Sequence, residues 1–402
     1  MSKQVLIFGA GKIGRGFLGQ LFSRSGYQLW FVDAFPELVM RLNAEKKYRV
    51  DLAGRDKDLT EYIRIEGAFT IDDANGLAEL FDKADIIVSS VGAANIENTA
   101  RLVKKLLANT SRNRPLNWLI CENASHPAAS IRSVLLEDAD EHFAKFVREQ
   151  VGLIETQILR TGMDAGPATI GQEPLALRMQ DWWTLPCDKD AFVGPIPDVK
   201  GLVPKSNFSN ELTRKLYTFN GTNGPISYIG WANGFKILHQ AAMAFQDFFS
   251  EIQAESAHGL IHEFGLDHNE QKVFMELAMK KYTDPALVDQ TERNARDPKR
   301  KLAKDERLIG PALLCLKHGK RPEAYAKAIA AAYAYEGAND KEAQEIQTFI
   351  DLHGIGEAIK KYSSIDETSQ LFSMITDAYN GKRFIFSGNR GRLAVPGPQP
   401  PS

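Results

Sequence analysis

The sequence predicts an α/β fold in two parts, a doubly wound parallel-sheet domain over residues 1–200 and a mainly α-helical domain over residues 201–385. Three observations indicate it. A short apolar run enters a glycine-spaced turn at residues 9–14, further apolar runs alternate with helical patterns, and residues 209–379 are mostly helical in pattern. Strands that alternate with helices are typical of a parallel sheet, and the order found here is that of a Rossmann-type domain.

The glycine turn has the form G-x-G-x-x-G and follows directly on the apolar residues 5–8. Gly9 permits the tight turn, Gly11 lets the backbone approach a pyrophosphate, and Gly14 lets the next helix pack against the strand. A pyrophosphate would then lie at the helix N-terminus, where free N–H groups and the helix dipole favour negative charge. The residues predicted to contact a dinucleotide here are Gly9, Ala10, Gly11, Lys12, Ile13 and Gly14.

The helix after this turn is predicted from apolar residues spaced three and four apart, which can share one face. These residues are Phe17, Leu18, Leu21 and Phe22. The next apolar run ends on Asp33, nineteen residues after Gly14. That interval suits the acid that bonds the adenosine ribose, and since a carboxylate repels a 2′-phosphate it predicts NAD and not NADP. The alternative is a glycine turn in some other α/β fold.

Two later apolar runs, at residues 85–92 and 117–121, predict strands buried on both faces. The first ends in Val91 and Gly92, which are predicted to lie against the dinucleotide, although an ordinary strand-to-helix turn explains them equally well. Asn123 follows the second run. Polar side chains past the carboxyl ends of parallel strands bind ligands in open α/β sheets, so Asn123 is also predicted to contact the cofactor.

The connecting segments carry weaker signals. Residues 48–70 alternate loosely and are expected to form a hairpin or an extension. Glycine and proline are dense over residues 162–204, which precludes long helices, permits short strands and favours a domain boundary near residue 200. The proline-rich segment 386–402 is expected to be a disordered tail.

Composition excludes several classes of protein. Of the 402 residues 25% are charged, and the net charge of −2 gives no general attraction to nucleic acid or to an anionic membrane. Cys121, Cys187 and Cys315 form no C-x-x-C pair, so neither a zinc ribbon nor a disulfide framework is expected. No secretory signal and no apolar run of about 20 residues is visible. We therefore expect a soluble, cytoplasmic protein, a monomer or small homo-oligomer, whose partner is a small molecule.

A helix is predicted to begin at Ser209, a plausible N-cap, and to run to Asn220. At this stretch the chain resembles the polyol-specific long-chain dehydrogenases, and the likeness covers most of its length. The matching segments are F-G-A-G-K-I-G-R-G-F at residues 8–17, Asp33, C-E-N at 121–123, R-K-L-Y-T-F-N at 214–220 and R-x-x-R-x-P-x-R-K-L at 293–302.

The signature of that family is K-x-x-x-x-N-x-x-H, and this chain has Lys215, Asn220 and then Asn223 where histidine is expected. The resemblance implies that Lys215 is the general acid/base and that Asn220 binds the reacting oxygen. The chemistry agrees, because hydride transfer to a ketone leaves an alkoxide, and a lysine with a lowered pKa can protonate it. On position alone Lys215 would be a solvated surface lysine. Asn223 can donate a hydrogen bond but cannot titrate.

A basic segment follows at residues 291–308. Arginine suits bidentate binding of phosphate, and lysine adds a point charge. The resemblance implies that this segment binds a substrate phosphate, and the residues assigned to it are Arg293, Arg296, Arg300 and Lys301. The alternative for any one of them is a solvated, salt-bridged helix start after Pro298.

No metal site is predicted. His258 and His262 lie four residues apart and could share a helix face, but H-G-L-I-H lacks the glutamate of the zinc protease motif and a clear third ligand. The resemblance also implies that lysine takes the place of a metal.

The expected function is that of an NAD-dependent oxidoreductase that interconverts a sugar-alcohol phosphate and a ketose phosphate, namely mannitol 1-phosphate and fructose 6-phosphate. The site is expected in the cleft between the two domains. One alternative is a dehydrogenase of a free polyol or a hexuronate. Another is a non-catalytic NAD-binding sensor, which Asn223 motivates and the presence of Lys215 and Asn220 opposes.

Overall fold

The structure is a computed structural model that describes residues 3–53, 59–110, 112, 114–124, 126–285 and 288–386. Its chain divides into two compact units, Met1–Ser209 and Asn210–Ser402. Apart from Phe386, the predicted disordered tail lies outside the described residues.

All strands of the described residues lie in the N-terminal unit. They are β1 (Gln4–Phe8), β2 (Gln28–Asp33), β3 (Lys47–Ala53), β4 (Leu59–Arg64), β5 (Gly67–Thr70), β6 (Ile86–Ser89), β7 (Leu116–Ile120), β8 (Val151–Glu155), β9 (Gly162–Asp164), β10 (Leu177–Gln180), β11 (Leu185–Asp188) and β12 (Leu202–Lys205).

The main sheet is six-stranded and entirely parallel, in the order β5-β2-β1-β6-β7-β8. Counting only its own strands along the chain, this order is 3-2-1-4-5-6, the doubly wound Rossmann arrangement. The predicted fold of this unit is therefore confirmed. The order reverses between the neighbouring strands β1 and β6, and ligands bind at such a switch point.

Strand β1 shows why the apolar runs are continuous. Val5 and Ile7 belong to one hydrophobic core and Leu6 and Phe8 to the other, and none of the four exposes more than 2% of its surface. Because successive side chains of a strand point to opposite faces, a sheet covered on both sides needs apolar residues at every position.

The helices of this unit cover both faces of the sheet. They are α1 (Gln20–Arg24), α2 (Pro36–Glu45), α3 (Ala74–Lys83), α4 (Ile96–Ala108), α5 (Pro127–Leu136), α6 (Glu141–Gln150) and α7 (Pro167–Gln172). The predicted face Phe17, Leu18, Leu21 and Phe22 is buried, with at most 1% exposed. The helix differs from the prediction in its first part, because Gly14–Gly19 is a π-helical turn before α1.

Smaller sheets flank the main one. Strands β3 and β4 form the expected antiparallel hairpin, which joins β10 and β9 in a four-stranded sheet. The parallel pair β11 and β12 lies in the glycine- and proline-rich segment, where short strands were expected.

The C-terminal unit is helical, as predicted. Its helices are α8 (Phe208–Lys215), α9 (Gly221–Ala232), α10 (Leu238–Ala244), α11 (Gln246–Phe264), α12 (His268–Tyr282), α13 (Thr291–Ala295), α14 (Pro298–Lys301), α15 (Ile309–Lys317), α16 (Glu323–Tyr333), α17 (Lys341–Ala358) and α18 (Gln370–Asn380). Helix α8 begins one residue before the predicted N-cap, Ser209. Among the described helices, none has the length and apolarity needed to cross a bilayer.

Candidate active site

The glycine turn of the N-terminal unit needs glycine twice for its own packing. Gly9 has φ +92°, and a Cβ on it would lie 2.4 Å from the Ser90 carbonyl oxygen. A Cβ on Gly14 would lie 1.9 Å from the Gly9 oxygen. Gly11 is different, because a Cβ there would meet no protein atom within 4 Å. Its exposed backbone is thus open to the close approach of a ligand, which fits the pyrophosphate of a dinucleotide.

The neighbouring residues of the turn differ in exposure. Ala10 is buried, Ile13 is half-buried and Lys12 is exposed. Gly11 and Lys12 are therefore the most exposed residues of the predicted motif.

Asp33 is tied directly to the turn. Its Oδ2 accepts a hydrogen bond from the Ala10 N–H at 2.7 Å, and its Oδ1 accepts one from the Phe35 N–H at 3.0 Å. The carboxylate can only accept, and each oxygen has room for a second bond. It is therefore suited to ribose hydroxyls, which donate, and unsuited to a 2′-phosphate.

Arg15 braces the turn, although the sequence analysis gave it no part in the site. Its Nε donates to the Ala10 oxygen and its Nη1 to the Leu175 oxygen, both at 2.6 Å. The side chain is only 8% exposed, and this burial lowers its pKa from the ordinary arginine value. Arg15 lies in the quoted glycine motif, but its partner Leu175 is 160 residues away, so no local pattern shows the contact.

Glu122 is a second residue that the sequence analysis did not assign. Its two carboxylate oxygens accept from the Val91 N–H at 2.8 Å and the Gly92 N–H at 2.9 Å. Burial raises the pKa of Glu122, against the lowering effect of these hydrogen bonds. Because Glu122 occupies both N–H groups, any contact of Val91 or Gly92 with a cofactor would use other atoms of these residues. Asn123, the next residue, is exposed.

In the C-terminal unit, Lys215 is the last residue of α8 and is half-buried. Desolvation lowers its pKa to about 8, and the nearby cations Lys281 and Arg307 act in the same direction, against Glu306. A lysine with this pKa exists in both protonation states near neutral pH, as a general acid/base requires.

A π-helical turn, Leu216–Asn220, follows Lys215 and leads into α9. In an α-helix residues five apart point about 140° away from each other, since each residue turns the helix by about 100°. In a π-helix, closed by hydrogen bonds between residues i and i+5, residues five apart lie on the same side. The turn therefore brings Asn220 to the same side of the helix as Lys215. Asn223, three residues further on, follows on that side.

Asn223 is half-buried and bonded to another amide. Its Nδ2 donates to Asn294 Oδ1 at 3.1 Å, which links α9 to α13. The predicted catalytic asparagine is thus held by a residue that the sequence analysis did not single out.

Arg307 packs against α9 next to these residues. A Cβ on Gly224 would lie 3.5 Å from both Cγ and Cδ of Arg307, which is van der Waals contact, so the stem of the arginine side chain lies directly against this turn of α9. The Nε of Arg307 donates to Glu306 at 3.0 Å. Its charge lowers the pKa of Lys215 and of Lys301. Arg307 belongs to the basic segment but was not assigned to the site from sequence.

The four predicted phosphate ligands have different surroundings. Arg293 is exposed and makes a bidentate pair with Asp289, at 2.8 and 2.6 Å. Arg300 is exposed and lies 3.3 Å from Asp297 and 3.6 Å from Glu306. Arg296 is exposed, and no carboxylate of the described residues pairs with it.

Lys301, the fourth, is buried, with 4% of its surface exposed. Its ammonium donates to the carbonyl oxygen of Asn294 at 2.6 Å and to that of Arg296. Desolvation lowers its pKa to about 7, helped by Arg307 and Arg300. Lys301 thus stabilises the connection between α13 and α14 by its bonds to these two carbonyl oxygens.

His258 and His262 lie on one face of α11, with ring centroids 4.3 Å apart. The ring centroids of His262 and His318 are 5.7 Å apart, and the Nε2 of His318 lies 2.8 Å from the Oε2 of Glu263. Within the described ranges, no group of three or more histidine, cysteine or acidic residues is arranged to hold a metal ion.

Two family models match the chain. A mannitol dehydrogenase Rossmann domain matches residues 3–185, and a mannitol dehydrogenase C-terminal domain matches residues 210–381. A mannitol-1-phosphate 5-dehydrogenase of Thermoanaerobacter pseudethanolicus is 30% identical over 384 residues, which cover 94% of this chain and 98% of that protein.

Solved structures share the fold at low identity. The crystal structure of D-sorbitol dehydrogenase in substrate-free form superposes with a TM-score of 0.79 at 12% identity, covering 95% of this chain and 93% of the other. The Pseudomonas fluorescens mannitol 2-dehydrogenase ternary complex with NAD and D-mannitol gives a TM-score of 0.70 at 14% identity, covering 95% and 92%.

Proposed function

The chain belongs to the mannitol dehydrogenase family of oxidoreductases, and from this premise we propose that it interconverts a sugar-alcohol phosphate and a ketose phosphate with NAD. The proposed pair is mannitol 1-phosphate, which the name of the 30% identical relative contains, and fructose 6-phosphate as the corresponding ketose phosphate. The observation that carries the proposal is Lys215, a half-buried lysine with a pKa of about 8, aligned with Asn220 by a π-helical turn.

The N-terminal unit would hold the cofactor. The open backbone at Gly11 and the exposed Lys12 would bind the pyrophosphate, and Asp33 would accept hydrogen bonds from the adenosine ribose. Val91, Gly92 and Asn123, which follow β6 and β7, are proposed as further contacts. NAD, when bound, accepts the hydride from the carbinol carbon.

The C-terminal unit would handle the proton. In the oxidation, neutral Lys215 removes the proton of the substrate hydroxyl while the carbinol carbon loses its hydride to the cofactor, so that the C–O single bond becomes the C=O bond of the ketone. In the reduction, the ammonium form of Lys215 returns the proton to the developing alkoxide. The Asn220 amide would donate to the same oxygen, where charge develops in the transition state.

The basic segment would bind the phosphate through Arg296 and Arg300, since guanidinium forks suit phosphate oxygens. A phosphate must compete with Asp297 and Glu306 for Arg300. Arg293 and Lys301 are less available, because Asp289 and two carbonyl oxygens already bond them.

The bonds that the predicted phosphate ligands already make within the protein favour a second candidate, a dehydrogenase of a free polyol or a hexuronate. Three of the four predicted phosphate ligands already have partners in the protein. A neutral polyol or a single carboxylate needs fewer free cations than a phosphate does.

A spectrophotometric screen tests the proposal. Purified protein is mixed with NADH and either fructose 6-phosphate, fructose or a hexuronate, and the absorbance of NADH is followed. We expect oxidation with fructose 6-phosphate alone and its loss in Lys215→Ala. We also expect Arg296→Ala to raise KM for the phosphorylated ketose, whereas Arg321→Ala, which removes an exposed arginine from a surface pair with Glu323, leaves it unchanged. Turnover of unphosphorylated substrates alone would contradict the phosphate assignment.

A further inference from the structure

Asn223 stands at the end of a chain of hydrogen bonds with a fixed direction. Its Nδ2 donates to Asn294 Oδ1 at 3.1 Å, and Asn294 Nδ2 donates in turn to the carbonyl oxygen of Gln290 at 2.9 Å. The same Asn294 amide also lies near the Asp289 carboxyl, whose pKa it helps to lower.

The direction follows from the partners of Asn294. A backbone carbonyl and a carboxylate can only accept, so the Asn294 NH₂ group must face Gln290 and Asp289. Its Oδ1 then faces Asn223 and also can only accept, which obliges Asn223 to present N–H there. Reversing either amide would place acceptor against acceptor, at a cost of about 1–3 kcal/mol for each unsatisfied group.

The anchor of this chain is rigidly held. The Asp289 carbonyl oxygen accepts from the Leu238 N–H at 2.8 Å, and the Thr291 N–H donates to Lys236 at 2.9 Å. Arg293 grips the Asp289 carboxylate with two hydrogen bonds. Both flanks of Gln290 are thus fixed, and with them the position of Asn294.

On these grounds we infer that Asn294 is a positioning residue that turns the carbonyl oxygen Oδ1 of Asn223 toward the substrate, where it accepts a hydrogen bond from a substrate hydroxyl. The inference rests on the proposed function, because it takes Lys215, Asn220 and Asn223 to face one substrate. Asn223 accordingly selects substrates by their hydroxyl pattern. The amide oxygen of Asn223 accepts a hydrogen bond at every pH, whereas a histidine nitrogen stops accepting when the ring is protonated.

The inference also gives Arg293 a different part from phosphate binding. Arg293 holds Asp289, Asp289 and Gln290 hold Asn294, and Asn294 holds Asn223. Loss of Arg293 should therefore weaken the discrimination among substrate hydroxyls more than it weakens the discrimination between phosphorylated and free substrates.

The test compares ketose substrates with deoxy analogues that each lack one hydroxyl. We expect the wild-type protein to reject one analogue by about 10- to 100-fold in kcat/KM, since the Asn223 oxygen is left without its donor when that analogue binds. Asn223→Ala and Asn294→Ala should each remove most of this discrimination, and the double variant should lose no more than either single one. KM for NADH should stay unchanged in all three.

Asn223→His is the conservative variant. Asn294 Oδ1 can accept the N–H of one ring nitrogen, which leaves the other nitrogen as an acceptor for the hydroxyl. This variant should keep the discrimination and add a new pH dependence near the ordinary histidine pKa of about 6.5. Asn294→Ala on that background should abolish the discrimination again.

The inference is overturned if Asn294→Ala discriminates among the analogues as the wild type does while Asn223→Ala does not. It is also overturned if no single hydroxyl matters to the wild type. The phosphorylated and free ketose series are run in parallel, so turnover confined to the free series would overturn the proposed phosphate substrate and still decide the part played by Asn294.

Discussion

The proposed proton transfer predicts how the rate depends on pH, because desolvation and two neighbouring cations lower the pKa of Lys215 to about 8. Reduction of the ketone needs the ammonium form of this lysine, and oxidation of the alcohol needs the neutral form. The profile of kcat/KM reports groups of the free enzyme. We therefore expect reduction to decline above pH 8 and oxidation to rise up to pH 8 and then level off.

The magnitude follows from the fraction of lysine in each form. At pH 8 about half of Lys215 is protonated and at pH 10 about 1%, so kcat/KM for reduction should fall about 50-fold between these values, with a limiting slope of one decade per pH unit. Oxidation should rise only about twofold over the same range. A lysine at its ordinary pKa of 10.5 would leave reduction nearly constant up to pH 9.5.

The assay is the absorbance change of NADH at substrate concentrations well below KM, from pH 7 to 10, in both directions. Lys215→Ala should lose activity throughout, and Lys280→Ala, a change to an exposed lysine in α12, should keep the wild-type profile. Lys281→Met removes one of the cations that lower the pKa of Lys215, so the decline should move to higher pH. A decline that begins only above pH 10, or one that persists in Lys215→Ala, would refute the reasoning.

Three further predictions concern the cofactor turn and the helical unit. Asp33→Asn should weaken NADH binding about 10- to 100-fold and reduce the preference for NADH over NADPH, because the amide neither attracts the ribose hydroxyls nor repels a 2′-phosphate as the carboxylate does. Fluorescence titration measures both affinities, and equal affinities of the variant and the wild type for NADH would contradict the prediction. Gly14→Ala should destabilise the protein by about 1–3 kcal/mol or more in thermal unfolding, since its Cβ would lie 1.9 Å from a backbone oxygen, whereas Gly11→Ala should leave stability unchanged and weaken cofactor binding. Glu255→Ala should cost about 2–4 kcal/mol because it strips the N–H groups of Ala324 and Tyr325 of their acceptor, while Glu251→Ala, one turn away on an exposed face, should change stability by less than about 0.5 kcal/mol.

The parts of the fold predicted from sequence are those with local signals. The glycine spacing, the acid at Asp33 and the continuous apolar runs each follow from geometry within one or two neighbouring elements. The parallel sheet confirms the fold that they predicted, and the cofactor contacts assigned to the glycines and to Asp33 stay predictions. The residues that sequence analysis missed, such as Arg15 and Glu122, act through partners 160 and about 30 positions away. Nothing in the local pattern identifies such partners.

Side-chain pairing was beyond the sequence for the same reason. The sequence of a cluster of arginines and lysines does not show whether their charged groups face a ligand or other groups of the protein. Lys301 faces two backbone carbonyls, and Arg293 faces Asp289. The π-helical turn after Lys215 was also not predicted, although a lysine and an asparagine five residues apart do not share a side of a regular α-helix.

The brace between Arg15 and Leu175 bears on the order in which the N-terminal unit matures during synthesis. The last strand of the main sheet ends at Glu155, so a nascent chain can complete that sheet before Leu175 has left the ribosome. Until then the Arg15 guanidinium lacks one of its two carbonyl acceptors, and β3 lacks the neighbour that β10 provides. The Arg15 brace on the cofactor turn is therefore completed later than the sheet that carries the turn, through a contact between residues 160 positions apart.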